Sequence, residues 1–411
     1  MLQMKVYLVG GAVRDQLLDR PVHEKDWVVV GATPDELLKK GFQPVGKDFP
    51  VFIHPTTGEE YALARTERKK GRGYYGFSCD YNPKVTLEED LARRDLTINA
   101  MALDEEGNLY DPYHGKQDLQ AGILRHVSPA FVEDPVRVLR VARFTARFSA
   151  LGFKVADETR QLMYQMVKEG ELNHLVPERV WQEWQRSLSE PNPEEFIQTL
   201  RASGALGVII PELNALFGVP NPPQYHPEID SGIHTLQVLQ GACTLSNDER
   251  VRFAALVHDL GKAKTPMSDW PAHHQHEHLG LDVIKSLCHR LRIPNDYRKL
   301  ALMVCRYHLT IHRYHSLKAS TVVSTLEKTD AFRRPELFQN MLLACQADSW
   351  GKQGEIGNYT EIALWQEALK SCQSVSVKEL IEEGLQGEAI KNELHKRRID
   401  RLQSVKNKKG S

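Results

Sequence analysis

Leu8-Val9-Gly10-Gly11-Ala12-Val13-Arg14-Asp15-Gln16-Leu17-Leu18, followed shortly by Glu24-Lys25-Asp26 and the apolar run Trp27-Val28-Val29-Val30, decides how the first part of this chain is read. A β-like run, Lys5 to Val9, enters a glycine pair, and a helix-patterned stretch leaves it. Glycines at such a junction let the backbone approach a phosphate, and a helix N-terminus adds its dipole; the same pair also serves as an ordinary tight turn. Neither G-x-x-x-x-G-K-[ST] nor G-x-G-x-x-G occurs here, which argues against a conventional P-loop or Rossmann site. Glu24 and Asp26 enter the next strand at positions i and i+2 and so project to one side. Two such carboxylates repel each other unless a divalent cation bridges them, and magnesium favours oxygen ligands completed by substrate phosphates. An acidic turn is the competing reading. Glu60, on a neighbouring strand, is a candidate third carboxylate.

Working outward, Val51 to His54 and Glu60 to Ala64 add two strand candidates between Gly, Pro and Asp punctuation, so residues 1–133 read as a mixed α/β domain. From Asp134 the pattern turns helical, broken by Pro177, Pro191, Pro193 and Pro211, and 134–215 is expected to form an all-α neck and body. The Pro-rich run Val219 to Pro227 marks a boundary near 216–227. A second all-α domain is expected at 228–370, and 371–411 reads as a helical tail whose basic stretch, Lys391 to Lys409, is a solvated helix end.

The 411 residues are 41% hydrophobic and 26% charged, the balance of a globular chain of two or three domains. Net charge is −1, from 53 basic and 54 acidic residues, so any nucleic-acid site must be a local patch. One such patch is the helix after Pro135, where Arg137, Arg140, Arg143 and Arg147 share a face. A solvated basic face would look the same. Another is the loop from Arg65 to Arg72, with five basic residues ahead of Gly71, Gly73 and Gly76 interleaved with Tyr74, Tyr75 and Phe77. It reads equally as a merely solvated loop or as one that grips RNA.

Cys79, Cys243, Cys288, Cys305, Cys345 and Cys372 form no C-x-x-C pair and read as reduced, buried filler. The N-terminus has no signal-peptide pattern and no apolar run is long enough to span a membrane, so a cytoplasmic protein is expected, a monomer or weak homodimer, starting at Met1 or Met4. Eleven of the 17 histidines lie between His226 and His315. Among them His234, His258-Asp259, His276 and His308, with Asp348 further on, place imidazole and carboxylate ligands on successive helices. His273, His274 and His278 crowd the same loop as His276.

GGAVRD, the acid-x-acid pair, ALARTER (Ala62 to Arg68), RRDLTINA (Arg93 to Ala100) and EDPVRVLRVARF (Glu133 to Phe144) follow one another in an order that resembles bacterial CCA-adding tRNA nucleotidyltransferases, relatives of bacterial poly(A) polymerases. The resemblance implies a polymerase-β-like head, tRNA, CTP and ATP as partners, and magnesium held by Glu24 and Asp26. By the same resemblance Gly11, Arg14 and Arg94 contact the incoming nucleotide. Glu133-Asp134 and Arg137 would template the base, with Arg140 and Arg143 alongside. An Asp that accepts and an Arg that donates can pair with cytosine or adenine but not with guanine or uracil. Glu24 stands where many relatives carry Asp.

The His258-Asp259 pair with Gly261-Lys262 behind it resembles the HD phosphohydrolase superfamily. That likeness implies 2′,3′-cyclic phosphodiesterase, 2′-nucleotidase and phosphatase activities, and a transition metal such as nickel. The rival readings are a poly(A) polymerase, an HD phosphohydrolase or nucleotide sensor whose first domain only binds ligand, and a purely structural RNA-binding protein.

Overall fold

A computed structural model describes residues 4–45, 51–69, 77–222, 229–351 and 359–409, which divide into two compact units, Met1–Ile209 and Ile210–Ser411. The first unit opens with β1 (Lys5–Val9), helix α1 (Gly11–Leu17), β2 (Asp26–Val30), α2 (Pro34–Lys39), β3 (Gln43–Val45), β4 (Val51–Ile53) and β5 (Glu60–Leu63). All four strands expected from the apolar runs are present. A hairpin of β6 (Thr66–Lys69) and β7 (Phe77–Asp80) follows, then α3 (Leu87–Ala92) and the short strands β8 (Ala102–Leu103) and β9 (Leu109–Tyr110). The tip of the expected basic loop, with Gly71, Gly73, Tyr74, Tyr75 and Gly76, lies outside the described residues.

The main sheet has the order β3-β4-β5-β2-β1-β8-β9, with β2 and β5 parallel and the other pairs antiparallel, a mixed sheet as expected. Alternate residues face opposite sides. Tyr7, Val9 and Val28 pack with Leu91, Ala100 and Ala102 on one side, while Val29 and Leu63 pack with Leu37 and Phe52 on the other. The parallel register sets Asp26 opposite Glu60 at the edge where β1 ends in the glycine pair.

The same unit continues through α4 (Gly115–Ala121), α5 (Val136–Phe148), α6 (Asp157–Lys168), α7 (Pro177–Leu188), α8 (Glu194–Ala202) and α9 (Ala205–Ile209), with α5 packed against α7 and α8. The division between units falls at 209/210, upstream of the proline run. Residues after it pack into the second unit: the N–H of Gly232 donates to Leu216 O and that of Ser231 to Val219 O.

The second unit is helical: α10 (Pro211–Asn214), α11 (Ser231–Leu245), α12 (Glu249–Val257), α13 (His276–Arg290), α14 (Asn295–His312), α15 (Ala319–Lys328), α16 (Pro335–Gly351), α17 (Glu361–Gln373), α18 (Val377–Glu382) and α19 (Glu388–Lys409). Helices α11, α12, α14 and α16 pack together around Phe253, Leu300, Val304 and Leu342.

The basic tail is helical, with Lys391, Lys396 and Arg401 exposed, but one of its faces is packed. Helix α19 docks on α15 and α17 through the buried Leu402, with the Arg398 guanidinium 3.7 Å from the Phe332 ring centroid and Lys406 Nζ donating to Leu317 O. Of the cysteines, Cys288, Cys305, Cys345 and Cys372 are buried, whereas Cys243 is half-buried, and the Cys79 side chain lies outside those described. Among the described residues no helix is long and apolar enough to cross a membrane.

Candidate functional sites

In the first unit a cavity of about 860 Å³ collects the residues read from the N-terminal motifs: Gly11, Arg14, Glu24, Asp26, Glu60, Arg94, Asp134, Arg137, Arg140 and Arg143 all line it. Glu133 does not. Ten arginines and no lysine line this cavity among the described residues, which matters because guanidinium stays charged and binds phosphate through two parallel donors. Gly10 holds the turn at φ +71°, and a Cβ there would stand 3.0 Å from Arg94 Nη1. The glycine is needed both for its backbone and for the approach of Arg94.

The stripe on α5 is not the solvated face that its spacing also allowed. Arg140 Nε donates to Asp95 Oδ2 at 2.7 Å, Arg143 Nε to Glu183 Oε2 at 2.7 Å and Arg147 Nη2 to Asp15 Oδ2 at 3.2 Å. Arg137 is buried and donates to the carbonyls of Ala130 and Arg93. Asp134 receives both Arg179 nitrogens, at 3.1 and 2.7 Å. Arg14 forms a bidentate pair with Asp15, donates to Asn99 Oδ1 at 2.6 Å and lies over the stacked rings of Phe144 and Phe148. Asp95 accepts from Asn99 Nδ2 and the Leu96 N–H besides Arg140, so the RRD segment ties Arg14 to α5.

Asp15, Asp95, Asn99, Arg179 and Glu183 were not singled out from the sequence. Asp15 lies within GGAVRD and Asp95 and Asn99 within RRDLTINA, but partners 40 or more residues away leave no local pattern.

These arrangements set the charges. Burial raises the Asp95 carboxyl, but Arg140, Asn99 and the Leu96 N–H together outweigh it and hold Asp95 below its ordinary range. Asp26 sits exposed at the start of β2, and partial loss of water raises its carboxyl, with Arg94 opposing and Glu24 reinforcing. A carboxylate disfavoured in this way is one that a divalent cation would stabilise, and the all-oxygen set of Glu24, Asp26 and Glu60 suits magnesium. Among the described residues these three do not converge tightly enough to form a complete ligand set.

The second unit is different. His258, Asp259, His276 and His308 crowd together with His234 and Asp348, in overlapping groups of three whose ligand atoms all lie within 4.8 Å. His234 Nε2 is 2.9 Å from Asp348 Oδ1, and His258 Nε2 lies 3.3 Å from Asp259 Oδ2 and 3.5 Å from Asp348 Oδ1. Asp259 Oδ1 is 3.2 Å from His276 Nε2 and 3.6 Å from His308 Nε2. All six expected ligands therefore meet. His276 is the member from its loop; His273 binds Pro220 O and Thr265, and His274 and His278 are exposed. Gly261 makes the meeting possible: a Cβ there would fall 2.0 Å from His276 O, so any larger residue would push away the start of α13. Lys262, buried, bridges Asp259 Oδ2 at 2.7 Å and Asn221 Oδ1 at 3.0 Å.

Tautomers follow from the backbone. The Nδ1 atoms of His258, His276 and His308 each face a carbonyl, of Ala255, His273 and Cys305, and must carry hydrogen. In the neutral rings every Nε2 then presents a lone pair inward, and those of His276 and His308 stand 3.2 Å apart. Facing lone pairs repel unless a cation lies beside them. His258 Nε2 and Asp259 Oδ1 are buried and make no hydrogen bond. A mixed imidazole and carboxylate set with unsatisfied inward atoms fits a divalent transition metal. Burial works against a charged His258, but Asp259 and Asp348 outweigh it and push the ring up to about 10, so bound metal would displace a proton there.

Residues 6–125 match the Poly A polymerase head domain family, 152–217 the probable RNA and SrmB-binding site of polymerase A, and 232–344 the HD domain family. The chain is 64% identical over 396 residues to the multifunctional CCA protein of Legionella pneumophila (strain Paris), covering 96% of each. The chain belongs to the multifunctional CCA protein family. It is thus an enzyme, a nucleotidyltransferase that carries an HD domain. The family member from Vibrio campbellii is 58% identical, over 97% of this chain and 98% of its own. Its fold is shared with an apo CCA-adding enzyme (TM-score 0.67, 22% identity, 97% of this chain and 88% of that one). The Bacillus stearothermophilus CCA-adding enzyme in complex with CTP gives a TM-score of 0.63 at 22% identity, over 98% of this chain and 95% of its own.

Proposed function

We propose that this member of the multifunctional CCA protein family adds C, C and A to tRNA 3′ ends from CTP and ATP at the arginine-lined cavity. We further propose that its HD cluster hydrolyses phosphoesters, including 2′,3′-cyclic phosphates, 2′-nucleotides and phosphomonoesters, in repair of damaged tRNA ends in the cytoplasm. The observation that carries the first reading is the meeting of the glycine turn, the acidic pair and the α5 arginines in one cavity. Glu24 and Asp26, with Glu60 beside them, would hold magnesium, which when bound acidifies the RNA 3′-hydroxyl and neutralises the departing pyrophosphate.

The chain's own part is binding and orientation. Arg14, fixed by Asp15 and Asn99, and Arg94, beside the Gly10 turn, cradle the triphosphate. Asp134 and Arg137 select the base: the Arg179 pair on Asp134 and the carbonyl contacts of Arg137 hold both side chains in fixed geometry. Guanine or uracil would leave the buried Arg137 and the half-buried Asp134 unmatched, which disfavours them. In the HD cluster His234, His258, Asp259, His276, His308 and Asp348 would hold a divalent transition metal, nickel among the candidates, which when bound supplies Lewis acidity toward a phosphoester. His258 and Lys262 keep Asp259 ionised, and Lys262 orients it. The 134–215 helices serve as the neck and body that receive RNA.

The test is a tRNA transcript ending at the discriminator base, incubated with magnesium, CTP and ATP, with product length read at single-nucleotide resolution. Addition of three nucleotides, stopping at two with CTP alone, is expected. A long adenylate ladder with ATP alone would mean a poly(A) polymerase, and no extension would mean that the first unit only binds ligand.

A further inference from the structure

His312 follows His308 by one turn of α14, so both side chains leave the helix on one face. His308 reaches into the metal-ligand cluster, while His312 touches it from outside. His312 Nε2 is 2.6 Å from Asp348 Oδ2, and Tyr359 Oη is 2.9 Å from His312 Nδ1. The other Asp348 oxygen, Oδ1, faces inward toward His234 Nε2 and His258 Nε2. Asp348 is thus divided between an inner oxygen among the ligands and an outer one held by His312.

Chemistry fixes the direction of the bond to Asp348, and that of the Tyr359 bond follows for the neutral ring. A carboxylate only accepts, so His312 Nε2 carries hydrogen and donates to Oδ2. The neutral ring then has its lone pair on Nδ1, and the Tyr359 hydroxyl donates to it. Burial raises the Tyr359 phenol above its ordinary range, so it remains a donor. Two donors in series orient the ring and, through it, the carboxylate. The converging ligand groups among the described residues do not include His312.

We propose that His312, held by Tyr359, is a positioning residue of the HD centre that fixes Asp348 with Oδ1 alone turned toward the cation. This inference rests on reading the cluster as a metal centre. Donors behind a ligating carboxylate hold it in the bound rotamer before the metal arrives, and losing one weakens metal binding 10- to 100-fold as an order of magnitude. Nothing in this role requires His312 to touch the substrate.

The experiment uses the full chain, stripped with chelator, and measures Ni²⁺ affinity by isothermal titration calorimetry, with circular dichroism as the control on folding. His312→Ala is expected to bind Ni²⁺ roughly 10- to 100-fold more weakly than wild type. Tyr359→Phe removes one neutral hydrogen bond and should weaken binding about fivefold. His312→Gln keeps an N–H that reaches Oδ2 and should recover most of the affinity. If His312→Ala binds as tightly as wild type, with or without a lower melting temperature, the positioning role is wrong while the metal centre stands. If His312→Gln is as weak as the alanine variant, packing rather than donation matters and the role is again wrong. If wild type binds no more Ni²⁺ than His258→Ala does, the metal centre itself falls, and the inference with it.

Discussion

In the first unit, ten arginines surround a cavity whose acidic residues are mostly paired with them, and Glu24, Asp26 and Glu60 offer oxygens that do not close on a cation. In the second unit, four histidines and two aspartates already converge, and carbonyls hold the Nδ1 hydrogens of His258, His276 and His308. On the proposed reading, the first site takes part of a metal's coordination from its substrate's phosphates, and the second offers its ligands from the protein. Magnesium is usually held by one or two carboxylates with substrate phosphates completing its shell, whereas transition-metal centres take most of their ligands from protein imidazoles and carboxylates.

The largest expected effect separates the two sites outright. Asp26→Ala should lower nucleotide incorporation roughly a thousandfold, the several kcal/mol that a metal ligand supplies, and leave phosphatase activity on a generic ester intact. His258→Ala should do the reverse. Paired assays on both variants check this, and loss of both activities in either variant would break the contrast.

Metal removal comes next. At an ion concentration about 100 times its Kd, bound metal stabilises by about 2.7 kcal/mol. Chelation should therefore speed hydrogen exchange in α11, α12 and α14 and leave β1, β2 and β5 unchanged, as read by mass spectrometry.

A smaller effect lies in the arginine network. Asp95→Asn removes the charge opposite Arg140 and should destabilise the first unit by roughly 1.5–3 kcal/mol, the range for a hydrogen bond to a charged group, in urea unfolding. Because the Asp95 carboxyl is held below its ordinary value near 4, its stabilisation is present above that pH and is lost as pH falls through the folded value. The variant should flatten the acid limb of the stability profile. Last is Gly10→Ala, which puts a side chain at φ +71°, ψ −131°, a conformation that glycine alone adopts readily, at a cost of about 1–3 kcal/mol, and presses on Arg94. A raised KM for CTP with little change in melting temperature is the expected reading.

Legibility also differs between the two regions. Strands β1, β2, β4 and β5 are readable because each is an apolar run bounded by turn residues, and the six residues of the HD cluster because their order resembles a known pattern. The arginine stripe was readable only as a face. Its spacing cannot show that Asp15, Asp95 and Glu183 reach it from other elements, so solvation and burial look identical in the sequence. His312 escaped because, among eleven crowded histidines, only the packing of α14 against α16 tells an outer donor from an inner ligand. The docking of α19 was hidden for a related reason: Leu402 is one apolar residue in a basic run.

The contrast between a substrate-completed site and a prebuilt one is tested most directly by counting bound Mn²⁺ on the full chain by electron paramagnetic resonance, with and without CTP, in wild type, Asp26→Ala and His258→Ala. Nucleotide-free binding should survive Asp26→Ala and vanish in His258→Ala, and CTP should add binding in wild type and His258→Ala but not in Asp26→Ala. Nucleotide-free Mn²⁺ that depends on Asp26 and ignores His258 would contradict the account.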